Sequence, residues 1–203
     1  SVIEKIAKPI QELNRSAAKE LDVVAQRLAG SKVDTSDAIN LLGSEFEKAG
    51  ISVGAKGKLN FTGSDFEGIR AVQSSISNVW NRALRIAKTG DALQAHRLKR
   101  YIDNIVEYGT EGEGLRGNAE RLLKGFRRAV DQSLDTKFPA YNRANTVFAD
   151  TIGELNKLGI LLGKRFRLGE QFADARVGIA MRRLLSNTQS RAEILRLIDG
   201  MQA

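Results

Sequence analysis

Apolar residues recur every three or four positions through most of the chain, a spacing typical of amphipathic α-helices. The first stripe is the most regular and is close to a heptad repeat, which suits packing of one helix along another. Its large members are Ile3, Ile6, Ile10, Leu13, Leu21, Val24 and Leu28. We interpret this stripe as a packing face, either within the chain or between copies of it. Pro9 lies inside it, so we expect the helix either to begin there or to kink there.

A second helix is predicted between Asp34-Thr35-Ser36, which are typical of a helix start, and Gly50, which is typical of a helix end. The apolar period then changes to two in residues 51–53 and 59–61. The glycine-rich turn between them predicts one β-hairpin. This turn does not have the spacing of a phosphate-binding P-loop, because Ser52 and Leu59 stand where that motif requires Gly and Ser or Thr.

The Ser64-Asp65-Phe66-Glu67 run has the pattern of a capping box, in which Ser and Glu satisfy free amide groups at a helix start. It predicts a helix that continues to Gly90. Trp80 falls on the apolar face of that helix, so we assign it to the core rather than to base stacking.

Three consecutive helical stretches follow in residues 91–109, 115–134 and 139–158, joined by short connections. We expect them to form antiparallel neighbours against which the other helices pack. The first connection contains G-x-G-x-x-G at residues 112–117. A dinucleotide site needs a strand before that motif, and here the preceding segment is helical, so we interpret it as a loop.

The predicted fold is therefore mainly α-helical: an elongated bundle of six or seven helices with one small hairpin near residues 51–61. We divide the chain into an N-terminal amphipathic helix at 1–30, a helical core with the hairpin and the three central helices at 31–160, and basic helices at 161–203. The last segment includes stretches near 170–185 and 190–201 with helical spacing.

Positive charge is concentrated at the C-terminal end of the chain. The net charge is +8, and residues 161–203 contain 8 Lys and Arg against 4 Asp and Glu. Such a surface attracts nucleic acid, anionic lipid or an acidic protein face, although the same charge also serves solubility alone. The candidate polyanion-binding residues are Lys164, Arg165, Arg167, Arg176, Arg182 and Arg183.

Reactive side chains are scarce. There is no cysteine, which excludes thiolate chemistry in these residues, and His96 is the one histidine. A metal site or a histidine relay would need partners that this composition does not supply, so we expect His96 to be a surface or half-buried residue. No run of about 18 apolar residues is present to span a membrane. We assign no catalytic, metal-binding or cofactor-binding residues, and expect a protein without enzymatic activity.

Several short segments resemble a helical region of large virion proteins of tailed bacteriophages. They are HRLKRYID at 96–103, EGLRGNAE at 113–120, FPAY at 138–141, DTIG at 150–153, RRLLSN at 182–187 and SRA at 190–192. The similarity extends over roughly residues 33–203. The relevant virion proteins include internal or ejection proteins, which are packaged in the head and delivered with the genome.

This resemblance implies a structural protein of the virion that self-assembles or binds other virion proteins. It also implies contact with DNA or the host envelope, and delivery into that envelope or the cytoplasm. It carries over no catalytic residues. The alternative, from the charge distribution, is a basic helical module that binds nucleic acid.

Overall fold

In a computed structural model the chain is mainly α-helical with one small antiparallel hairpin, as predicted. The structure describes residues 2–108 and 117–161, and the elements below refer to these residues. The helices are α1 (Val2–Gln26), α2 (Ser36–Lys48), α3 (Arg70–Thr89), α4 (Ala92–Tyr108), α5 (Asn118–Lys137) and α6 (Pro139–Leu161). The hairpin consists of β1 (Ser52–Val53) and β2 (Leu59–Asn60), with a 3₁₀ turn at Ala55–Gly57 between them.

The contacts divide the chain into two compact units. One unit is Val24–Asn142, and the other combines the beginning of the chain, up to Val23, with the part from Arg143 onward. In the first unit α4 packs against α3 and α5, and α2 packs against α3 and α5. Its core includes Phe46 and Trp80, whose rings meet edge to face with centroids 5.3 Å apart. Trp80 is buried, as its place on the apolar face predicted.

The second unit is described for part of α1 and part of α6. Asn14 and Thr151 are both buried in it, and Asn14 Nδ2 donates a hydrogen bond to Thr151 Oγ1 at 3.0 Å. Helix α1 runs through Pro9 rather than beginning there, so the first of the two expectations for that proline is wrong.

The turn between α3 and α4 is fixed by backbone hydrogen bonds to a segment far away in sequence. Gly90 ends α3 in the left-handed region with φ +66°, where glycine has no Cβ penalty. Val33 N–H donates to Gly90 O at 2.8 Å, and Ala92 N–H donates to Ser31 O at 3.0 Å. Lys32 Nζ also donates to Thr89 O at 2.6 Å, which places a cation at the negative end of the α3 dipole.

The capping box predicted at Ser64–Glu67 is wrong. Helix α3 begins at Arg70, because Gly68 adopts φ +78° and interrupts the helical path. The Ser64 hydroxyl instead donates to Phe61 O at 2.7 Å and accepts from Phe66 N–H at 3.2 Å. Residues 62–68 therefore form a series of turns between the hairpin and α3.

The hairpin tip docks on α3 through a hydrogen bond from Trp80 Nε1–H to Gly57 O, at 2.7 Å. Gly57 has φ +76°, and a Cβ at this position would lie 2.8 Å from Leu84 Cδ1. We expect Gly57→Ala to lower the free energy of unfolding by about 1–2 kcal/mol, since an L-residue in the left-handed region costs that much. Urea denaturation measures the change.

The matched control is Gly54→Ala in the same turn. Gly54 has φ −89° and an ordinary contact of 3.4 Å to Lys58 O, so we expect a loss below about 0.5 kcal/mol. Equal losses for the two variants would show that the left-handed conformation of Gly57 is not what the turn requires.

Candidate functional site

The most concentrated set of ionisable groups in the described residues lies where α4, α5 and the start of α6 meet. His96, Lys99 and Asp103 are spaced by three and four positions along α4, so they project from one side of that helix. Arg127 and Asp131, four apart on α5, face them. We call these five residues together with Tyr141 the polar cluster.

Proline positions Tyr141. Pro139 is the first residue of α6, where its fixed φ and missing N–H suit a helix start. Phe138 before it is extended, with φ −122° and ψ 96°, as a residue preceding proline prefers. The chain therefore turns sharply after α5, and Tyr141 in the first turn of α6 is fully buried against the cluster.

Lys99 is the centre of the polar cluster and is 1% exposed. Its Nζ forms an ion pair with Asp131 Oδ1 and donates to Tyr141 Oη at 2.7 Å. Tyr141 Oη lies 2.8 Å from His96 Nδ1. Since an ammonium has only protons to give, the Tyr141 oxygen accepts from Lys99. The tautomer of His96 sets which of His96 Nδ1 and Tyr141 Oη donates in their contact.

A second ion pair lies beside this chain of hydrogen bonds. Arg127 Nε donates to Asp103 Oδ1 at 2.5 Å and Arg127 Nη2 donates to Asp103 Oδ2 at 2.9 Å. Such a bidentate pair fixes both distance and orientation between α4 and α5. The cluster therefore links three helices by charged hydrogen bonds.

Burial shifts the ionisation of these groups. Burial lowers the pKa of Lys99 below its ordinary value, and the nearby Asp131 carboxylate opposes that change without cancelling it. Burial also raises the pKa of Tyr141, and the charges of Asp131 and Asp135 raise it further. For Arg127, burial acts to lower the pKa, but the hydrogen bond and charge of Asp103 outweigh it and the pKa is raised.

A lysine with a lowered pKa beside a tyrosine and a histidine is a combination that enzymes use for proton transfer. Here, however, His96, Lys99 and Tyr141 are each at most 3% exposed. Their polar atoms face one another across helix interfaces, so in this conformation the cluster has the geometry of a structural network.

The sequence-based interpretation of His96 as a surface or half-buried residue is wrong, because the side chain is buried and bonded to Tyr141. Lys99 and Tyr141 were not recognised as site residues. A hint was present in the spacing, since Lys99 lies one turn from His96 and one from Asp103 on the same helix. Within residues 2–108 and 117–161, no three histidine or carboxylate side chains gather as a metal ion would require.

The predicted packing face on α1 is described for four of its seven members. Leu21 and Val24 are buried, Leu28 is half-buried, and Leu13 is 38% exposed. The side chains of Ile3, Ile6 and Ile10 lie outside the described set, so the role of the face stays a prediction. The six candidate polyanion-binding residues from Lys164 to Arg183 also lie outside the described residues, as does the G-x-G-x-x-G loop.

No protein-family model, curated protein or solved structure matches this chain. Across the described helices, none combines the length and the apolar character needed to cross a bilayer.

Proposed function

We propose that this chain is a non-enzymatic structural module that self-assembles through helix faces. The sequence resemblance supports such a role in a tailed-phage virion, in an internal or ejection protein that assists genome delivery. The observation that carries the assembly proposal is the exposure of large apolar side chains on two helices of one unit. Val147 on α6 is 55% exposed, and Leu13 on α1 is 38% exposed.

Each of these residues lies within one helical turn of a partner in the buried hydrogen bond between Asn14 and Thr151. Leu13 adjoins Asn14, and Val147 lies one turn before Thr151 on α6. A buried polar pair fixes the register of two helices, and apolar residues beside it offer area for a further helix. We infer that a second copy of the chain covers Leu13 and Val147.

The polar cluster supports the non-enzymatic part of the proposal. Lys99 and Tyr141, the groups whose pKa values are shifted most clearly by burial, are both engaged in hydrogen bonds between helices. A network of this kind specifies how helices pair and resists alternative packings. It gives an assembly module a rigid unit without requiring any chemistry.

Sedimentation analysis over a wide concentration range tests the assembly proposal. We expect the average mass of the wild-type chain to rise with concentration, and the Leu13→Ser/Val147→Ser variant to associate at least tenfold more weakly. The reason is that two aliphatic side chains removed from an interface account for about 2–3 kcal/mol of apolar burial.

Val53→Ser provides a control, because Val53 is 47% exposed but lies in the hairpin of the other unit. It should associate as the wild type does. A wild-type chain that stays monomeric at every concentration, at low salt and with DNA or lipid added, would exclude the proposal.

The second candidate function, nucleic-acid binding through the six basic residues from Lys164 to Arg183, rests on the sequence. The exposed side of α3 also favours a nucleic-acid partner, and it includes none of those six residues.

A further inference from the structure

The solvent-facing side of α3 is basic and contains no carboxylate. Helix α3 spans 20 residues and includes no Asp or Glu. Its cations are Arg70, Arg82, Arg85 and Lys88. At about 100° of rotation per residue, all four fall within roughly one third of the helix circumference. All four are exposed.

Short neutral donors occupy the positions between these cations. Ser74, Asn78 and Asn81 are exposed on the same side of α3. We call these three residues and the four cations the α3 basic face. Hydroxyl and amide groups among Arg and Lys are the side chains that most often contact phosphate oxygens in protein–DNA complexes.

Some exposed cations on other described helices have intrahelical partners. Lys48 pairs with Glu45 on α2 at 2.9 Å, and Lys124 pairs with Glu120 on α5 at 2.5 Å. On α3 no carboxylate of the described residues forms an ion pair with any of the four cations. Arg82 instead lies over the Tyr101 ring, with Cζ 4.0 Å from the ring centroid. The positive charge of this face is thus not neutralised locally.

The opposite side of α3 is held in the core, so the helix cannot turn an apolar surface outward. Ile76 and Val79 are fully buried and Trp80 is 6% exposed. A helix that binds at a lipid surface inserts its own apolar side, and here that side is occupied. Ile69, next to Arg70, is 48% exposed, but the face is dominated by charge, which favours a polyanion in solution over a membrane.

The docked hairpin adds two more cations alongside α3. Trp80 holds the tip at Gly57, and Lys56 and Lys58 on either side of it are exposed. Lys56 adopts φ +59°, a conformation that L-residues rarely adopt. Asn or Gly would fit this backbone more easily, so lysine here is consistent with a use for its charge.

We propose that the α3 basic face, with Lys56 and Lys58 beside it, binds the phosphate backbone of duplex DNA without reading its sequence. The helix is about 30 Å long and rigid, which suits a continuous row of phosphates. Single-stranded nucleic acid would call for exposed aromatic rings on which bases stack, whereas Trp80 is buried and Arg82 covers Tyr101. This inference goes beyond the assembly role and does not depend on it.

Fluorescence anisotropy with a labelled 30-base-pair duplex of arbitrary sequence tests the proposal. We expect binding at about 50 mM salt that weakens steeply as salt rises, because each neutralised phosphate adds about 0.9 to the salt slope. In the full chain, Arg70→Gln/Arg85→Gln/Lys88→Gln should bind at least tenfold more weakly and lose about 2–3 from that slope.

The control is Arg121→Gln/Lys124→Gln/Arg128→Gln, which removes the same charge from exposed positions on α5, a helix that also contains Glu120, Asp131 and Asp135. It should change affinity less than about threefold. A second variant, Ser74→Asp/Asn78→Asp, keeps every cation but places carboxylates on the α3 basic face, and it should weaken binding as the first triple does. Circular dichroism confirms that the variants stay folded, since all these positions are exposed.

Four results would overturn the proposal. One is no duplex binding by the wild-type chain at about 50 mM salt. Another is equal loss of affinity for the α3 and α5 triples, which would indicate net charge alone. The third is undiminished binding by both α3 variants together with loss in Arg176→Gln/Arg182→Gln/Arg183→Gln, which would assign binding to the C-terminal arginines. Vesicles with one third phosphatidylserine should compete poorly with the duplex, and competition at equal phosphate concentration would also contradict it.

Discussion

Replacement of Asp131 by alanine is expected to lower the free energy of unfolding by about 3–5 kcal/mol, because it removes the carboxylate that forms an ion pair with a buried lysine. Lys99 is 1% exposed and its Nζ is paired with Asp131 Oδ1. After the substitution Lys99 must either lose its proton or draw water into the interface of α4 and α5. Both alternatives cost free energy in the folded state. Urea denaturation at pH 7 measures the change.

Two further variants identify the cause of that loss. Glu120→Ala removes the partner of Lys124 from the same helix, but the Lys124 side chain is 53% exposed, so we expect a loss of about 0.5 kcal/mol or less. Lys99→Met/Asp131→Leu removes both charges and should recover most of the stability lost in Asp131→Ala. A loss below about 1 kcal/mol for Asp131→Ala would mean that the ion pair does not hold the helices together.

Tyr141→Phe is expected to cost about 2–3 kcal/mol at pH 7. The phenol oxygen accepts from Lys99 Nζ at 2.7 Å and lies 2.8 Å from His96 Nδ1. Phenylalanine fills the same space and leaves both nitrogens without this partner in a buried site, and hydrogen bonds to charged groups contribute the most. Thermal and urea unfolding of the two proteins measure the difference. Tyr101→Phe, at a half-buried position, is the control.

The difference in the free energy of unfolding between the wild type and Tyr141→Phe should become smaller at alkaline pH. Burial raises the pKa of Tyr141, so above its ordinary value of 10.0 the unfolded chain loses the phenol proton while the folded chain keeps it. The folded state then binds more protons, and wild-type stability falls as pH rises, by up to about 1.4 kcal/mol per pH unit. The phenylalanine variant lacks this loss.

The lowered pKa of Lys99 changes stability with pH in the opposite direction. Burial lowers its pKa, so between the folded value and the ordinary 10.5 the unfolded chain binds more protons and stability rises with pH. Tyr141→Phe also removes a hydrogen bond to the charged form of Lys99, which lowers the pKa of Lys99 further and makes the difference between the two proteins shrink in the same direction as pH rises. A deficit that stays constant from pH 7 to 11 would contradict the assignment.

The helices and the hairpin could be predicted from sequence because each is a local pattern. The three central helices were expected at residues 91–109, 115–134 and 139–158, and α4, α5 and α6 occupy these regions. Apolar and polar residues alternate on both sides of residues 54–58, and this alternation predicted the hairpin. The start of α3 could not be predicted, because the sequence at Ser64 matches a helix cap. The sequence does not show that Gly68 adopts a left-handed φ, which ends the turns just before Arg70.

The polar cluster could not be predicted, because its partners are 24 to 45 positions apart in sequence. Helix α4 contacts both α3 and α5, so its buried surface is wider than one apolar stripe and includes His96 and Lys99. If only one apolar stripe of α4 were buried, these two polar residues would be exposed to solvent. The Tyr101 ring on the same helix is half-buried beneath Arg82. The absence of carboxylates among the cations of α3 is visible in the sequence. A net charge summed over a long segment does not show it.

The hydrogen bonds between residues 31–33 and the α3–α4 turn also bear on the order in which this unit folds. The Lys32 and Thr89 contact joins positions 57 apart, and closing a loop of that length costs roughly 4 kcal/mol of chain entropy. The turn at Gly90 needs a handful of neighbouring residues and no such closure. We therefore expect the turn between α3 and α4 to form before residues 31–33 bind to it.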